Sequence, residues 1–237
     1  MLAVDYFNRN HPLHAVKERV ALSARRKIYE RVIGLARPGP DTKVLDVGVT
    51  PDLEIPYNNF FERWYPHTRQ ITTSSIEDCS NLERAFPGIT FQQTDDVRLP
   101  FADRSFDLAL SFAVLEHVGS AEQQRRFVAE LSRVARAFVL YTPYRYFPVE
   151  MHTLLPFTHW LPNRWYRALW RRIGLSFWAE ESNLNLVTFT DAHALLPTAG
   201  RGEVRCVRVM GWPSNIEVFW QEDEGKASAG HRGGRSS

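Results

Sequence analysis

Short runs of β-branched and apolar residues alternate along this chain with segments in which apolar residues recur at helical spacing. The short runs predict buried strands at 43–47, 70–73, 89–92, 105–111 and 137–141. The helical spacing predicts one amphipathic helix or a pair of helices at 14–36, and helices at 60–65, 76–86, 123–136 and 163–174. Two further β segments, 203–209 and 215–220, come last. This alternation predicts an α/β, Rossmann-like doubly wound sheet of about seven strands, mostly parallel, whose last pair closes it antiparallel.

The segment between the fifth strand and the last two β segments departs from this rhythm. Residues 141–180 hold 11 of the 30 aromatic residues, and five arginines against two glutamates. We therefore divide the chain into an N-terminal helical segment (1–40), a main domain (41–220) with an aromatic-rich lid insertion (143–180), and a tail (221–237). The tail lacks apolar anchors, so we expect it to be disordered.

The composition argues against several classes of protein. Lys and Arg number 29 against 27 Asp and Glu, a net charge of +2, which disfavours a general nucleic-acid binder. Two cysteines cannot form a disulfide framework, and the chain has neither a signal-peptide pattern nor an apolar run long enough to span a membrane. We expect a cytoplasmic, reduced protein without integral membrane contact, and a dimer is an open alternative to a monomer.

Polar residues follow each of the first four predicted strands. They are Asp46, Gly48 and Thr50 after the first, Ser75 after the second, Asp95 and Asp96 after the third, and Ser111 and Phe112 after the fourth. In a doubly wound sheet, ligands bind beyond the carboxyl ends of the strands. Carboxylates and hydroxyls suit a ligand with hydroxyls, amines or a positive charge. A triphosphate is a poor match, and no P-loop motif occurs.

Four motifs carry a resemblance to a known family. They are VLDVG (44–48), DDVRLPF (95–101), RSFDLALSFAVLEHV (104–118) and RVARAFVLYTP (133–143). The chain resembles the class I S-adenosylmethionine-dependent methyltransferases, and among them the type-11 group. The resemblance implies S-adenosylmethionine as the cofactor. It also implies roles for the residues after the strands: methionine binding for Asp46, Gly48 and Thr50, ribose binding near Ser75, adenine binding for Asp95 and Asp96, and the methyl-facing edge for Ser111, Phe112 and His117.

The chain departs from the family pattern in two places. The family loop after the first strand is rich in glycine, but here Gly48 is followed by a segment with two prolines, Pro51 and Pro56. The acidic residue that grips the ribose is replaced by the Ser74–Ser75 pair. Weaker cofactor binding, a different grip through Glu77 or Asp52, and loss of activity are therefore open outcomes.

Methyl transfer to an oxygen needs a base for the hydroxyl proton, and a neutral histidine suits this task. The candidate bases are His152 and His117, with His159 and Glu150 behind them. Candidate contacts with the methyl acceptor lie past the fifth strand, at Tyr144, Arg145, Glu150, His159 and Trp160. We predict methyl transfer to a hydroxyl of a small molecule or glycan, by in-line displacement with a histidine general base.

Two other functions are weighed against this prediction. A non-catalytic binding or scaffold protein on the same fold is favoured by the altered loop. A nicotinamide-dependent oxidoreductase is disfavoured, because G-x-G-x-x-G is absent and no acid ends the second strand. Glu150, His152 and His159 resemble a two-histidine, one-carboxylate metal set, but their aromatic, loop-like context leads us to predict no metal.

The helix predicted at 163–174 combines apolar and basic residues. Trp165, Leu169, Trp170 and Ile173 fall toward one side, and the arginines fall largely elsewhere. We expect a lid helix whose apolar face packs on the sheet while its arginines face water. Peripheral contact with an anionic membrane surface or a lipid-linked acceptor is the alternative.

Overall fold

The computed structural model describes residues 14–94, 97–209 and 211–223. Its strands are β1 (Val44–Val47), β2 (Ile71–Ser75), β3 (Thr90–Gln93), β4 (Phe106–Phe112), β5 (Ala135–Pro143), β6 (Arg201–Val209) and β7 (Trp212–Gln221). Its helices are α1 (His14–Ala36), α2 (Phe60–Trp64), α3 (Asn81–Ala85), α4 (Ala121–Val134), α5 (Asn163–Arg172), α6 (Ser176–Ala179) and α7 (Phe189–Ala194).

The strands form one mixed sheet in the order β3-β2-β1-β4-β5-β7-β6. The first five strands run parallel to one another, and β7 pairs antiparallel with both β5 and β6. This confirms the predicted fold class. The order reverses between β1 and β4, so the carboxyl ends of these two strands open the crevice in which ligands of such sheets bind.

Helices cover both faces of the sheet, and β5 shows why the strands carry apolar residues at successive positions. Phe138 and Leu140 pack in the core beneath α4, whereas Val139 and Tyr141 pack in the core beneath α1 and α2. Because successive side chains of a strand point to opposite faces, a strand covered on both sides is apolar throughout.

Several element boundaries differ from the sequence prediction. The segment 14–36 is a single helix, and α4 begins at a capping box formed by Ser120 and Gln123. That helix ends at Val134, and the chain enters β5 at once, so Ala135 and Arg136 are strand and not helix. In the segment 76–86 only α3 is helical.

The lid has a small core of its own. Tyr166 and Trp170 of α5 pack with Ala179, Leu184 and Leu186. The expectation that α5 lays its predicted apolar face on the sheet is therefore wrong. The buried side of α5 is formed by Tyr166, Arg167 and Trp170. Arg167 can be buried there because it donates hydrogen bonds to the carbonyls of Ala179 and Leu184.

The two ends of the chain lie largely outside the described residues. Of the predicted N-terminal segment, residues 1–13 are outside, and of the predicted tail, residues 224–237 are outside. Gln221 ends β7, and Glu222 pairs with Arg104 and Arg136, so the predicted tail begins too early. No helix within the described part of the chain is long and apolar enough to cross a bilayer.

Candidate functional site

The crevice between β1 and β4 begins at Gly48, directly after β1. Its N–H donates to the carbonyl of Ser74 at the end of β2, and its φ is +94°, in the region that favours glycine. A Cβ at this position would lie 2.1 Å from Cγ2 of Val114. Gly48 is therefore needed for the turn and for close packing against the segment after β4.

The loop after Gly48 is held by side chains in place of further glycines. The side-chain amide of Asn59 accepts from the Thr50 N–H and donates to the Thr50 carbonyl, at 3.1 and 2.7 Å. The carboxylate of Asp52 accepts from the backbone N–H groups of Glu54 and Ile55. Arg63 donates to the carbonyl of Leu53. The two-proline loop is thus a braced structure, and Asp52 is committed to bracing it.

A cavity of about 70 Å³ lies against this loop. Asp46, Gly48, Thr50 and Phe112, all predicted from the sequence, contribute to its wall. Arg25 of α1 also lines the cavity, and the sequence analysis missed it. Helical periodicity indicates that α1 is amphipathic, but it does not tell which of its arginines reaches the crevice.

Two buried carboxyl groups lie beside this cavity. Asp46 and Glu62 are 4% and 2% exposed, and neither oxygen of Glu62 has a hydrogen-bond partner among the described residues. Burial raises the pKa of Asp46 well above its ordinary value, and the nearby Glu62 raises it further. Burial also raises the pKa of Glu62. With both pKa values raised, Asp46 and Glu62 favour holding a proton between them until a cation approaches. Glu62 is a second residue that the sequence analysis missed.

The remaining predicted cofactor residues fall into three groups. Ser111 is fully buried, and its hydroxyl has no partner in the described part of the chain. Ser75 is buried, and its hydroxyl accepts from the N–H of Glu77 within its own loop. Asp95 and Asp96 lie outside the described residues.

A second group of polar side chains lies beyond the ends of β4 and β5. The two predicted bases come together here, with the ring centroids of His117 and His152 4.8 Å apart. Nδ1 of His152 lies 2.6 Å from Oε1 of Glu150, and Nδ1 of His117 lies 2.7 Å from the carbonyl oxygen of Asn183. Since both oxygens are acceptors, each Nδ1 donates and each Nε2 is left with a lone pair.

Glu116 completes this group, which we call the histidine cluster (Glu116, His117, Glu150 and His152). Its side chain is fully buried, and Oε2 accepts from Thr142 at 3.0 Å. Oε1 lies 3.9 Å from Nε2 of His117 and has no hydrogen-bond partner among the described residues. The sequence places Glu116 next to His117 but gives no signal that it is buried.

The charges in the histidine cluster support one another. Burial alone would lower the pKa of His152, but its hydrogen bond to Glu150 and the charges of Glu150 and Glu116 outweigh burial and raise that pKa. Burial would likewise raise the pKa of Glu150, and the hydrogen bond and charge of His152 lower it below its ordinary value. The pair thus favours an ionised carboxylate beside a basic imidazole.

The cavity and the histidine cluster are neighbours. Burial lowers the pKa of the Arg25 guanidinium, whereas the negative charges of Glu116 and Asp46 act on it in the opposite sense. Arg25 is therefore near enough to a carboxyl group of the cavity and to one of the cluster to feel both charges. Trp178 of α6 closes the other side, with its ring 4.9 Å from that of His152. This tryptophan was also missed, because only the folded lid brings it there.

The other predicted acceptor contacts take part in the lid's own packing. Arg145 donates to the carbonyl of Leu161 and lies over the rings of Tyr146 and Tyr166. Tyr144 packs on Phe189. His159 is 1% exposed and, like Trp160, hydrogen-bonds the carbonyl of Phe147. Of the predicted acceptor contacts, Glu150 is the one within the histidine cluster.

The metal set weighed from the sequence does not come together as drawn, because His159 is engaged with Phe147. A different set does. Glu116, His117 and His152 each offer one ligand atom, and these atoms all lie within 4.8 Å of one another.

Comparison with known proteins gives a family likeness over part of the chain. Residues 67–137, less than a third of the chain, match the family model described as a methyltransferase domain. In this part the chain is similar to that family, as the resemblance in the sequence leads us to expect. No curated protein sequence matches it significantly.

Several solved structures share the fold of this chain. The PH0226 protein from Pyrococcus horikoshii is 13% identical with a TM-score of 0.56, over 85% of this chain and 90% of that one. The N-methyltransferase NodS from Bradyrhizobium japonicum is 15% identical with a TM-score of 0.51, over 84% and 96%. The YcgJ protein from Bacillus subtilis is 15% identical with a TM-score of 0.51, over 83% and 98%.

The residues at the cavity fit the amino-acid end of S-adenosylmethionine. An arginine suits its carboxylate, and the carboxyl group of Asp46 in the cavity wall, with that of the nearby Glu62, suits its ammonium group. At 70 Å³ the cavity has room for this polar end. The adenine end would meet Asp95 and Asp96, which lie outside the described residues.

Proposed function

We propose that this chain is a methyltransferase that acts on a hydroxyl group of a small molecule or glycan, and that His152 accepts the hydroxyl proton. The observation that carries the proposal is the Glu150–His152 pair, in which a buried carboxylate holds a half-buried imidazole near Glu116 and near the cavity that Arg25 and Asp46 line. A carboxylate–imidazole pair is an arrangement suited to general-base chemistry.

The cofactor is held through its charged amino-acid end. Arg25 would bind the carboxylate, while Asp46 and Glu62 would bind the ammonium group; Phe112 would form part of the wall toward the acceptor. When bound, S-adenosylmethionine supplies an electrophilic methyl carbon, and its sulfur keeps the bonding electron pair as that carbon leaves.

The histidine cluster would take the proton from the acceptor. Glu150 fixes the tautomer of His152 by accepting from Nδ1, so the lone pair of Nε2 takes the hydroxyl proton. The oxygen then uses its own electron pair to bond the methyl carbon. Trp178 packs against the ring of His152 and shields that side of the cluster, which would help to align the acceptor for in-line displacement.

The exposed apolar and basic side chains of the lid favour one class of acceptor. In the described part of the chain, ten of the twelve exposed large apolar side chains lie between Tyr146 and Phe177. On α5, Trp165, Leu169 and Ile173 are 59%, 38% and 50% exposed, near the exposed Arg164, Arg171 and Arg172. Apolar and basic side chains together suit peripheral contact with an anionic membrane surface through residues 163–174, which would present a lipid-linked glycan to the lid.

A binding or scaffold protein without catalysis is the second candidate. It is favoured by one observation: Val114 fills the space beside Gly48, and the cavity there is small. Such a protein would keep the fold and the braced loop without accommodating S-adenosylmethionine.

Calorimetric titration with S-adenosylmethionine and S-adenosylhomocysteine separates the two candidates. We expect micromolar binding of both ligands to the wild type, and at least 10-fold weaker binding to Asp46→Asn. A folded wild type that binds neither ligand at high micromolar concentration would establish the scaffold alternative.

Turnover is then followed as release of S-adenosylhomocysteine with a panel of glycosides and phenols. On the best acceptor, His152→Ala should lose roughly 100- to 10,000-fold in turnover, the typical contribution of a general base, with cofactor affinity within about twofold of wild type. His193→Ala replaces an exposed histidine on α7 and serves as the control. Equal turnover of His152→Ala and His193→Ala would remove His152 from the mechanism.

A further inference from the structure

We infer that Glu116, His117 and His152 form a binding site for a divalent cation that prefers mixed nitrogen and oxygen ligands, such as Co²⁺, Zn²⁺ or Mn²⁺. One ligand atom from each of these residues lies within 4.8 Å of the other two. Imidazole and carboxylate together are the donor set that such cations accept.

The hydrogen bonds around the two histidines fit this role. His117 donates Nδ1–H to the carbonyl of Asn183, and His152 donates Nδ1–H to Glu150. Each ring is thereby fixed in orientation, and its Nε2 lone pair is free. Metal-binding histidines almost always donate their second nitrogen to a carbonyl or a carboxylate in this way.

Glu116 gives an independent observation. Its side chain is 0% exposed, and Oε1 has no hydrogen-bond partner among the described residues, whereas Oε2 accepts from Thr142. An unpaired oxygen on a buried carboxylate is costly unless a cation or a donor compensates it. A cation bound between Oε1 and the two imidazoles would supply that compensation.

The spacing needs a modest adjustment. Ligand atoms at about 2.0–2.2 Å from a tetrahedral metal are about 3.3–3.6 Å apart, so the widest gap has to close by roughly 1.2–1.5 Å. His117 has 36% of its side chain exposed, so a shift of its ring is the least costly way to close that gap. Three protein ligands leave further coordination positions open to an oxygen of another molecule.

The role of the cation rests on the proposed function, whereas its binding does not. A cation and a proton compete for the same nitrogen of His152. In the loaded protein, the acceptor hydroxyl would bind the cation, which makes its proton more acidic, and the proton would pass to solvent water. The unloaded protein would rely on His152 as the base.

Titration of Co²⁺ into protein dialysed against chelator tests the inference through the visible absorption bands of the metal. We expect one Co²⁺ per chain. His117→Ala and Glu116→Gln should bind it at least 10-fold more weakly, and Glu150→Gln, which removes a partner of a ligand, should lose roughly 10- to 100-fold. His193→Ala should bind like the wild type.

Folding of each variant is checked by circular dichroism, and because His117 is partly exposed, its variant tests the site without disturbing buried packing. A wild type without Co²⁺ bands, or a folded His117→Ala with unchanged affinity, would overturn the inference. Anomalous diffraction from Co²⁺ between the two imidazoles would establish it. If the Co²⁺ bands are absent and S-adenosylmethionine binds normally, only the cation site is contradicted. If Co²⁺ binds and the cofactor does not, only the proposed function is contradicted.

Discussion

The crevice between β1 and β4 takes its shape from buried strands, whereas the lid takes its shape from a small core of its own. In the crevice, Asp46 lies within β1, whose four residues are all buried, and Gly48 and Val114 pack closely at the turn. In the lid, Tyr166 and Trp170 pack within the insertion while Trp165, one residue before this pair, stays exposed. The difference teaches that the two halves of the site can be perturbed separately.

The largest structural effect is expected in the lid core. Trp170 is fully buried, so Trp170→Ala should lower the free energy of unfolding of the lid by about 3–5 kcal/mol. Trp165→Ala on the same helix should stay within about 0.5 kcal/mol of wild type, because Trp165 is 59% exposed. Hydrogen exchange of the lid amides measures both. If Trp170→Ala also abolishes cofactor binding, the two regions are not independent.

A somewhat smaller effect is expected at the turn of the crevice. Gly48→Ala would place a Cβ in a left-handed conformation and 2.1 Å from Val114, at a cost of about 2–4 kcal/mol in the free energy of unfolding. Gly34→Ala is the matched control, because this glycine lies in α1 with nothing within 4 Å. It should stabilise the protein by about 0.5–1 kcal/mol. The free energies of unfolding are measured by denaturant titration. Equal values for Gly48→Ala and Gly34→Ala would contradict the role given to Gly48.

Arg25 tests the crevice as a cofactor site. Loss of a charge-assisted hydrogen bond in Arg25→Ala should weaken S-adenosylmethionine binding roughly 10- to 100-fold by calorimetry. Arg26→Ala, at the next position of α1 but pointing to solvent in an ion pair with Glu30, should bind normally. Equal losses in both variants would mean that the general charge of α1, and not its geometry, matters.

The smallest effect is a pH dependence of stability at Asp46 and Glu62. Both carboxyls have raised pKa values in the folded protein because they are buried, so the stability they contribute is present below their ordinary values and is lost as the pH rises through the raised ones. Glu62→Gln should therefore gain stability relative to wild type as the pH rises above the ordinary carboxyl pKa of about 4, by roughly 1 kcal/mol. Thermal melts at a series of pH values measure it, with Glu181→Gln as the control for loss of an exposed carboxylate.

Local pattern was sufficient for most of the fold and for part of the site. Short apolar or β-branched runs predicted all seven strands. β1, β4 and β5 are buried on both faces and need apolar residues at successive positions, whereas β3 and β6 are largely exposed. The residues after β1 and β4 were found because the carboxyl ends of parallel strands share one edge. Of the motif residues, Asp46 lies in β1 and His117 follows β4, and the two candidate bases His117 and His152 lie side by side. Their roles remain predictions.

Tertiary structure alone decided the rest. Arg25, Glu62, Glu116 and Trp178 join the site through contacts between elements far apart in the chain, and no local pattern reports such contacts. The buried side of α5 was mispredicted because periodicity ranks side chains by their polarity. Arg167 is buried there since its guanidinium satisfies two backbone carbonyls, and only the folded lid brings those carbonyls within reach. The sequence determined the sheet and its ligand edge, and packing determined which charges meet there.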